Sequence, residues 1–356
     1  MSGSFLDDSL KIRESIVRIP FMTFHSAPLR QPIIDNELAR AQEIVEKYAC
    51  TSLAPFTLFA DKSYFFSPNG SVIAFVLKGR IALVLGDPIG LADDAEASIL
   101  AFRDFCARNR WQACFYQVRQ DYLDVYHSLG FNTISIGQEA VIDLAVITLH
   151  GRTGKKFRNA VNRLMRLEHY VEIYEPPLSD KLLSELKTVS DEWLSKRIGS
   201  EVRFSIGWFN EEYIRHSTVA AVRTPEGTIT AFANIVLDLQ RRRVIVDLMR
   251  HRYGIENCTM DFLFVSLLDW AKKNGYATLS LGFSPLSGVG EKPQDSFIEK
   301  TLCFLYENMS KFPNLKGLHA FKNKFHPQWE SRHMVYPGAA QLPAIVMALV
   351  RAHYGR

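Results

Sequence analysis

The sequence has no long apolar run, little net charge and no paired cysteines, and each absence narrows what the chain can do. No apolar stretch approaches the roughly 18 residues that suggest a membrane-spanning helix. The most apolar segment, Ser71 to Leu85, is broken by Lys78-Gly79-Arg80. The first thirteen residues carry Asp7, Asp8 and Lys11 and lack the apolar core of a secretory signal. The chain is expected not to span a membrane, which leaves work at a membrane surface open. The five cysteines are Cys50, Cys106, Cys114, Cys258 and Cys303. Their odd number and the lack of C-x-x-C spacing argue against a disulfide framework and a structural zinc site. A reducing cytosol suits them best. With 42 basic and 38 acidic side chains the formal charge is +4, too small to mark a general nucleic-acid binder.

The familiar catalytic motifs are missing too. There is no Gly-x-Ser-x-Gly elbow, Walker A loop, HExxH or EF-hand loop, and the ten histidines include no i, i+4 pair. No nucleophile–base pair for covalent catalysis is legible. No metal is expected.

What is present is an ordinary globular composition. Hydrophobic residues make up 47% and charged residues 22% of the chain, which excludes a disordered or fibrous protein. At roughly 150 residues per domain, 356 residues suggest two domains. Ile34 to Tyr48 has helical apolar spacing. Phe65-Phe66, the turn Pro68-Asn69-Gly70 and Val72 to Leu77 predict a hairpin, because Asn-Gly accepts the positive φ its turn needs. Lys78-Gly79 turns into Ile81 to Leu85. A helix over 92–109 and a strand over 113–118 follow. The same order then recurs: a helix at 182–194, strands at 219–222, 229–237 and 244–249, a helix at 260–273 and a strand at 279–281. Gln240 to Arg243 form the last turn of that second meander. Internal duplication of this kind is an architectural signal. Helix, antiparallel meander, loop, helix, strand suits a GNAT-type acyltransferase. The expected class is α+β (mixed α/β), with tandem GNAT-like folds and mainly antiparallel central sheets. Residues 1–150 are expected to form an N-terminal GNAT-like domain. Residues 151–175 should be a basic connecting helix and linker, and 176–356 a C-terminal GNAT-like catalytic domain.

Three segments carry chemistry, and a fourth bears on membranes. Arg152, Lys155, Lys156, Arg158, Arg163 and Arg166 place six cations in one short stretch with no acid until Glu168. Phe157, Val161 and Leu164 recur at i, i+4 and i+7, so one face packs while the rest stays charged. Such a helix can neutralise phosphates of tRNA or of an anionic lipid surface; the plain alternative is a solvated helix. In Val246-Asp247-Leu248-Met249-Arg250, strand alternation puts Asp247 and Met249 on one face, Leu248 and Arg250 on the other. The plain alternative for Asp247 is an ion pair with Arg250 or Arg252. The following Arg250-His251-Arg252-Tyr253-Gly254 lacks the second glycine of an acetyl-CoA pyrophosphate cradle. Gly317 to Trp329 carries Lys322 and Lys324 among aromatics, downstream of Glu307. Two residues apart, these lysines cannot share a helix face. One can point inward and hold a carboxylate, phosphate or oxyanion, and the plain alternative is two surface lysines. Near the C-terminus, Leu342, Ile345, Val346, Leu349 and Val350 form an apolar stripe beside Arg351 and Arg356. It suits either packing on a domain, the preferred reading, or a lipid interface.

Together these segments resemble a known family, the C-terminal catalytic domain of phosphatidylglycerol lysyltransferases, also called multiple peptide resistance factors. The resemblance rests on Gly86-Asp87-Pro88-Ile89-Gly90, Lys156 to Arg163, Ser190-Asp191-Glu192-Trp193-Leu194 and Phe204 to Phe209. It rests further on Val246 to Arg250, Met260 to Phe264, Leu281 to Gly288 and Phe321 to Trp329. It runs from about residue 60 to residue 337. It implies transfer of an aminoacyl group from aminoacyl-tRNA to a phosphatidylglycerol hydroxyl. That reaction alters membrane surface charge and confers resistance to cationic peptides. It implies Asp247, Arg250, Lys322 and Glu307 as catalytic residues. Lys155, Lys156, Arg158, Arg163 and Arg252 are the expected binders of tRNA or lipid phosphate. No cofactor is needed, since an aminoacyl-tRNA ester is already activated. The implied place is cytoplasmic, peripheral at the inner face of the cell membrane. In one respect the sequence departs from the family, which usually carries an N-terminal multi-helix flippase domain. Other readings are a tRNA-dependent transferase for another lipid, a sterol or a peptide, an acetyl-CoA-dependent N-acyltransferase, and a non-catalytic tRNA- or membrane-binding module.

Overall fold

The computed structural model describes residues 12–13, 32–148, 151, 154–196, 201–238, 242–290, 299 and 313–355. In chain order the elements are strand β1 (Ile12–Arg13), helix α1 (Pro32–Tyr48), β2 (Ser63–Phe66), β3 (Val72–Lys78), β4 (Ile81–Leu85), α2 (Ala95–Arg108), β5 (Gln112–Arg119), α3 (Leu123–Ser128) and β6 (Asn132–Asp143). There follow α4 (Lys155–Arg166), β7 (Tyr170–Tyr174), α5 (Asp180–Ser195), α6 (Glu211–Arg215), β8 (Thr218–Arg223), β9 (Ile229–Asp238), β10 (Arg243–His251), α7 (Thr259–Lys273), β11 (Thr278–Pro285), α8 (Pro313–Asn323), β12 (Gln328–Tyr336) and α9 (Leu342–Tyr354).

The duplication read from the sequence is present in the same order of main elements, with the short helix α6 added in the second copy. The first copy is α1, the meander β2-β3-β4, α2 and β5. The second is α5, the meander β8-β9-β10, α7 and β11. Strands within each meander pair antiparallel, and the last meander strand pairs parallel with the strand after the helix. A parallel pair needs a crossover, which α2 and α7 supply. The expected GNAT-like α+β class is the observed one.

Backbone packing divides the chain into two units, each discontinuous in sequence. One holds 142–201 and 206–280 along with β1, in the strand order β1-β7-β8-β9-β10-β11. Its core joins Leu183, Leu186 and Val189 of α5 to Val219, Phe232 and Leu248 of the sheet. Ser179 caps α5 by accepting the Leu182 N–H at 3.3 Å. The other unit holds 28–141, 202–205 and 281–356, in the order β6-β12-β5-β4-β3-β2. Its core centres on Phe102, Phe115 and Tyr126, all fully buried. Truncating Phe102 to Ala would cost about 3–5 kcal/mol.

The expected division into 1–150, a linker at 151–175 and 176–356 therefore differs from the packing at both ends. At the first, β1 joins the unit of 142–201 and 206–280 by pairing with β7, and α4 and β7 lie inside that unit rather than linking two. Residues 281–356 join the unit of 28–141, because β12 pairs antiparallel with both β5 and β6. A strand that fills the gap between two others belongs to their sheet, whatever its place in the chain. Local pattern cannot show such a return. The predicted turn at Gln240 falls largely outside the described residues.

Candidate active site

Asp247 owes its position to a β-bulge. Val246 of β10 pairs with Ile235 of β9 and Met249 with Ala233, so Asp247 and Leu248 together oppose Asn234. Two residues facing one disrupts the ladder and re-aims a side chain. The Leu248 N–H is satisfied by the Asn234 Oδ1 at 2.7 Å. Asn234 is fully buried, so the amide is committed to this task. The predicted alternation holds, with Leu248 and Arg250 buried and Asp247 and Met249 partly exposed.

The Asp247 carboxylate accepts two hydrogen bonds in its own unit. The Gly207 N–H donates to Oδ1 at 2.9 Å, and the Tyr213 hydroxyl donates to Oδ2 at 2.7 Å. Gly207 is needed for close approach, since a Cβ there would lie 2.1 Å from Oδ2. Burial pushes the Asp247 carboxyl up to about 6, against the hydrogen bonds and the positive charge of Arg250, which favour its ionised form. The sequence alternative, an ion pair with Arg250 or Arg252, is not what holds it.

Among the described residues Arg250 is the largest fully buried side chain. Its Nη1 donates to the Ser190 Oγ of α5 at 2.8 Å, its Nη2 bonds Glu201, and its guanidinium lies 4.8 Å from the Trp193 ring centroid. Glu201 also accepts the Phe209 N–H at 2.9 Å. Arg250 thus anchors, through Glu201, the segment carrying Gly207. Its Nε has no hydrogen-bond partner among the described residues. Arg252 is committed as well: Nη1 donates to Glu192 at 2.9 Å and Nε to the Ile229 carbonyl at 2.8 Å. The Tyr253 N–H donates to the other Glu192 oxygen at 2.8 Å.

Lys322 belongs to the other unit, near the end of α8. It is buried, and its Nζ donates to the carbonyls of Gly282 at 3.0 Å and Phe283 at 2.8 Å. Burial lowers its amine to about 7, opposed by the charge of Glu139. Lys324 is exposed. One lysine inward and one outward is what their spacing allowed, and the reading of two surface lysines does not stand. Glu307 lies outside the described residues.

The basic helix α4 buries Phe157, Ala160, Val161 and Leu164 and packs on α7. Lys155, Lys156, Arg163 and Arg166 are exposed. Arg163 pairs with Glu256 at 2.6 Å, and the partly exposed Arg158 donates to the Gly151 carbonyl at 2.7 Å. Arg152 lies outside the described residues. Sequence reasoning named Asp247 and Arg250 as site residues but missed Gly207, Tyr213, Asn234 and Glu201. The segments Ser190 to Leu194 and Phe204 to Phe209 were the available signal. A cavity of ≈ 630 Å³ lined by Glu172, Tyr174, Glu175, Glu185 and Arg223 holds none of the predicted residues. Among the described residues no cluster is placed to hold a metal, and no helix is long and apolar enough to cross a membrane.

Comparison with known proteins gives the same direction. The chain is 33% identical over 308 residues to a phosphatidylglycerol lysyltransferase of Bacillus subtilis, covering 86% of this chain and 35% of that protein. A Staphylococcus epidermidis protein of the same name is 32% identical over 308 residues, with 86% and 36% covered. The chain thus spans about a third of these curated relatives. Among solved structures, L-PGS from Bacillus licheniformis superposes with a TM-score of 0.77 at 30% identity, over 88% of this chain and 95% of that one. The C-terminal domain of a putative lysylphosphatidylglycerol synthetase from Agrobacterium fabrum gives 0.79 at 30%, over 90% and 97%. FemX, at 9% identity and a TM-score of 0.57, shares the fold alone. Residues 42–336 match the family model described as phosphatidylglycerol lysyltransferase, C-terminal, and the chain belongs to that family.

Proposed function

We propose that this chain transfers an aminoacyl group from aminoacyl-tRNA to a hydroxyl of phosphatidylglycerol, at the inner face of the cell membrane. The names of its relatives make lysine the first amino acid to test. The observation that carries the reading is the Asp247 carboxyl, held by Tyr213 and Gly207 and raised to about 6. It is mostly ionised at neutral pH yet basic enough to take a proton from an acceptor hydroxyl, as a general base should be. The donor ester is already activated, so the protein need only position, remove a proton and stabilise the oxyanion.

Arg250 acts on this reading mainly as the anchor of the segment that holds Asp247. Its two terminal nitrogens bond Ser190 and Glu201, which disfavours its use as a lipid-phosphate clamp, and its Nε–H has no partner among the described residues. Arg252 is likewise held by Glu192. Lys322 supplies a desolvated amine for the developing oxyanion or the tRNA 3′ end. Lys155, Lys156 and Arg163 bind tRNA phosphates. Glu307 keeps its place as an expected catalytic residue. A flippase domain in a longer protein is part of the same proposal. The deciding experiment incubates the protein with phosphatidylglycerol vesicles and a set of radiolabelled aminoacyl-tRNAs. Labelled lipid supports the reading; its absence with every tRNA removes it.

A further inference from the structure

Helix α9 is apolar on both sides, and its own unit covers one of them. Ile345, Ala348 and Ala352 are buried, and the helix packs on β3 and β4. The His353 ring packs on Tyr116 and Phe204 with centroids 5.4 Å away in each case, and its carbonyl accepts the Arg203 N–H at 3.0 Å. The opposite side carries Pro343, Val346, Met347, Val350 and Tyr354, spaced by three, four and seven residues. Val346, Met347, Val350 and Tyr354 are 51%, 52%, 48% and 50% exposed. Single exposed apolar side chains are ordinary, but a row of them along one helix face marks an interaction surface. The sequence stripe is thereby divided, with Ile345 inward, Leu342 and Leu349 half-buried, and Val346 and Val350 outward.

Charge indicates the occupant. From Ser331 to Arg356 the chain has no Asp or Glu. Arg351, exposed, sits beside the stripe. Apolar side chains, an aromatic ring with a polar tip and a flanking cation together suit the boundary of an anionic bilayer. We infer that α9 lies flat in the interface of an anionic phospholipid membrane, with Val346, Met347, Val350 and Tyr354 among the acyl chains and Arg351 at the headgroups. The inference rests on the reading that phosphatidylglycerol is the acceptor, which places the substrate at such a surface.

The test uses the full chain and a triple variant, Val346→Ser, Met347→Ser and Val350→Ser. Each substituted side chain is exposed, so the thermal midpoint should stay near wild type. Cosedimentation with vesicles of mixed phosphatidylglycerol and phosphatidylcholine should weaken by about ten-fold or more. Arg351→Glu should weaken binding to the mixed vesicles and leave pure phosphatidylcholine unchanged. Transfer to short-chain, water-soluble phosphatidylglycerol should be the same in wild type and triple variant. Unchanged vesicle binding by the triple variant overturns the inference. So does a wild-type dimer that the triple variant dissociates, since the stripe would then face a second copy. Vesicle binding by a wild type inactive on soluble lipid would sink the proposed reaction and leave the docking face standing. Transfer to soluble lipid without vesicle binding would do the reverse.

Discussion

Tyr213 donates its hydroxyl hydrogen to the Asp247 carboxylate at 2.7 Å, and that bond favours the ionised form which burial opposes. Tyr213→Phe removes the donor and keeps the ring. The acid limb of the pH profile for transfer should move to higher pH, and activity at neutral pH should fall. An unmoved limb would dissociate Asp247 from the titration that governs transfer. Gly207→Ala, whose Cβ would press on the same carboxylate, should cut transfer more severely. Asp247→Asn should lower it by roughly 10²- to 10⁴-fold, the usual contribution of a general base.

The roles proposed for Asp247 and Lys322 each imply one limb of a pH profile. Asp247 is ionised above about 6 and Lys322 charged below about 7. If the first is the base and the second the cationic stabiliser, transfer follows a bell with its top between those values. Lys322→Met should abolish the alkaline limb along with most of the rate. A flat profile across both titrations, from about pH 5 to about pH 9, would refute both roles.

Stability should carry an opposite signature. The folded-state amine of Lys322 is lowered from 10.5 to about 7, so between those values the unfolded chain binds more protons. Stability must then rise with pH across that window. Asp247, raised from 3.8 to about 6, holds its proton in the fold across its own window, so it makes stability fall as pH climbs there. Denaturant titrations of wild type and Lys322→Met at several pH values measure the first slope, which the variant should lose.

Arg250→Ala should fail in folding as well as in transfer. It leaves Glu201 without its cation and Ser190 without its donor. Removing one partner of a buried ion pair typically costs about 3–5 kcal/mol. A drop of that size in unfolding free energy, alongside lost transfer, is the expected outcome. A variant with normal stability and no transfer would point instead to direct contact with substrate.

Replacing Lys155, Lys156 and Arg163 by Ala should weaken tRNA binding. The slope of log affinity against log salt should flatten by roughly 0.7 to 0.9 for each phosphate that is no longer neutralised. Lys155 and Lys156 should matter more than Arg163, which already pairs with Glu256. Affinity for anionic vesicles should barely change. Loss of vesicle binding with intact tRNA binding would assign α4 to the membrane.

Much of this molecule is decided locally. The Asn69-Gly70 and Lys78-Gly79 turns, the helical spacing of Phe157, Val161 and Leu164, and the alternation through Val246 to Arg250 each follow from backbone sterics and side-chain period. Repeated in order, they were enough to predict two GNAT-like copies. They also placed Asp247 and Arg250 on opposite faces of one strand, because alternation needs no distant partner. What the sequence could not determine depends on contacts between residues far apart in the chain. Asn234 takes the Leu248 N–H only because β9 lies beside the bulge. Tyr213 and Gly207 reach Asp247 from a segment more than thirty residues earlier. Arg250 reads in sequence as a catalytic residue or a partner of Asp247, and in the fold it is buried on Ser190 and Glu201. Lys322 titrates near neutrality because tertiary burial withholds water from its amine. The return of β12 to the sheet of β5 and β6 is of the same kind. Periodicity sets which way a side chain points, and long-range packing decides what it meets.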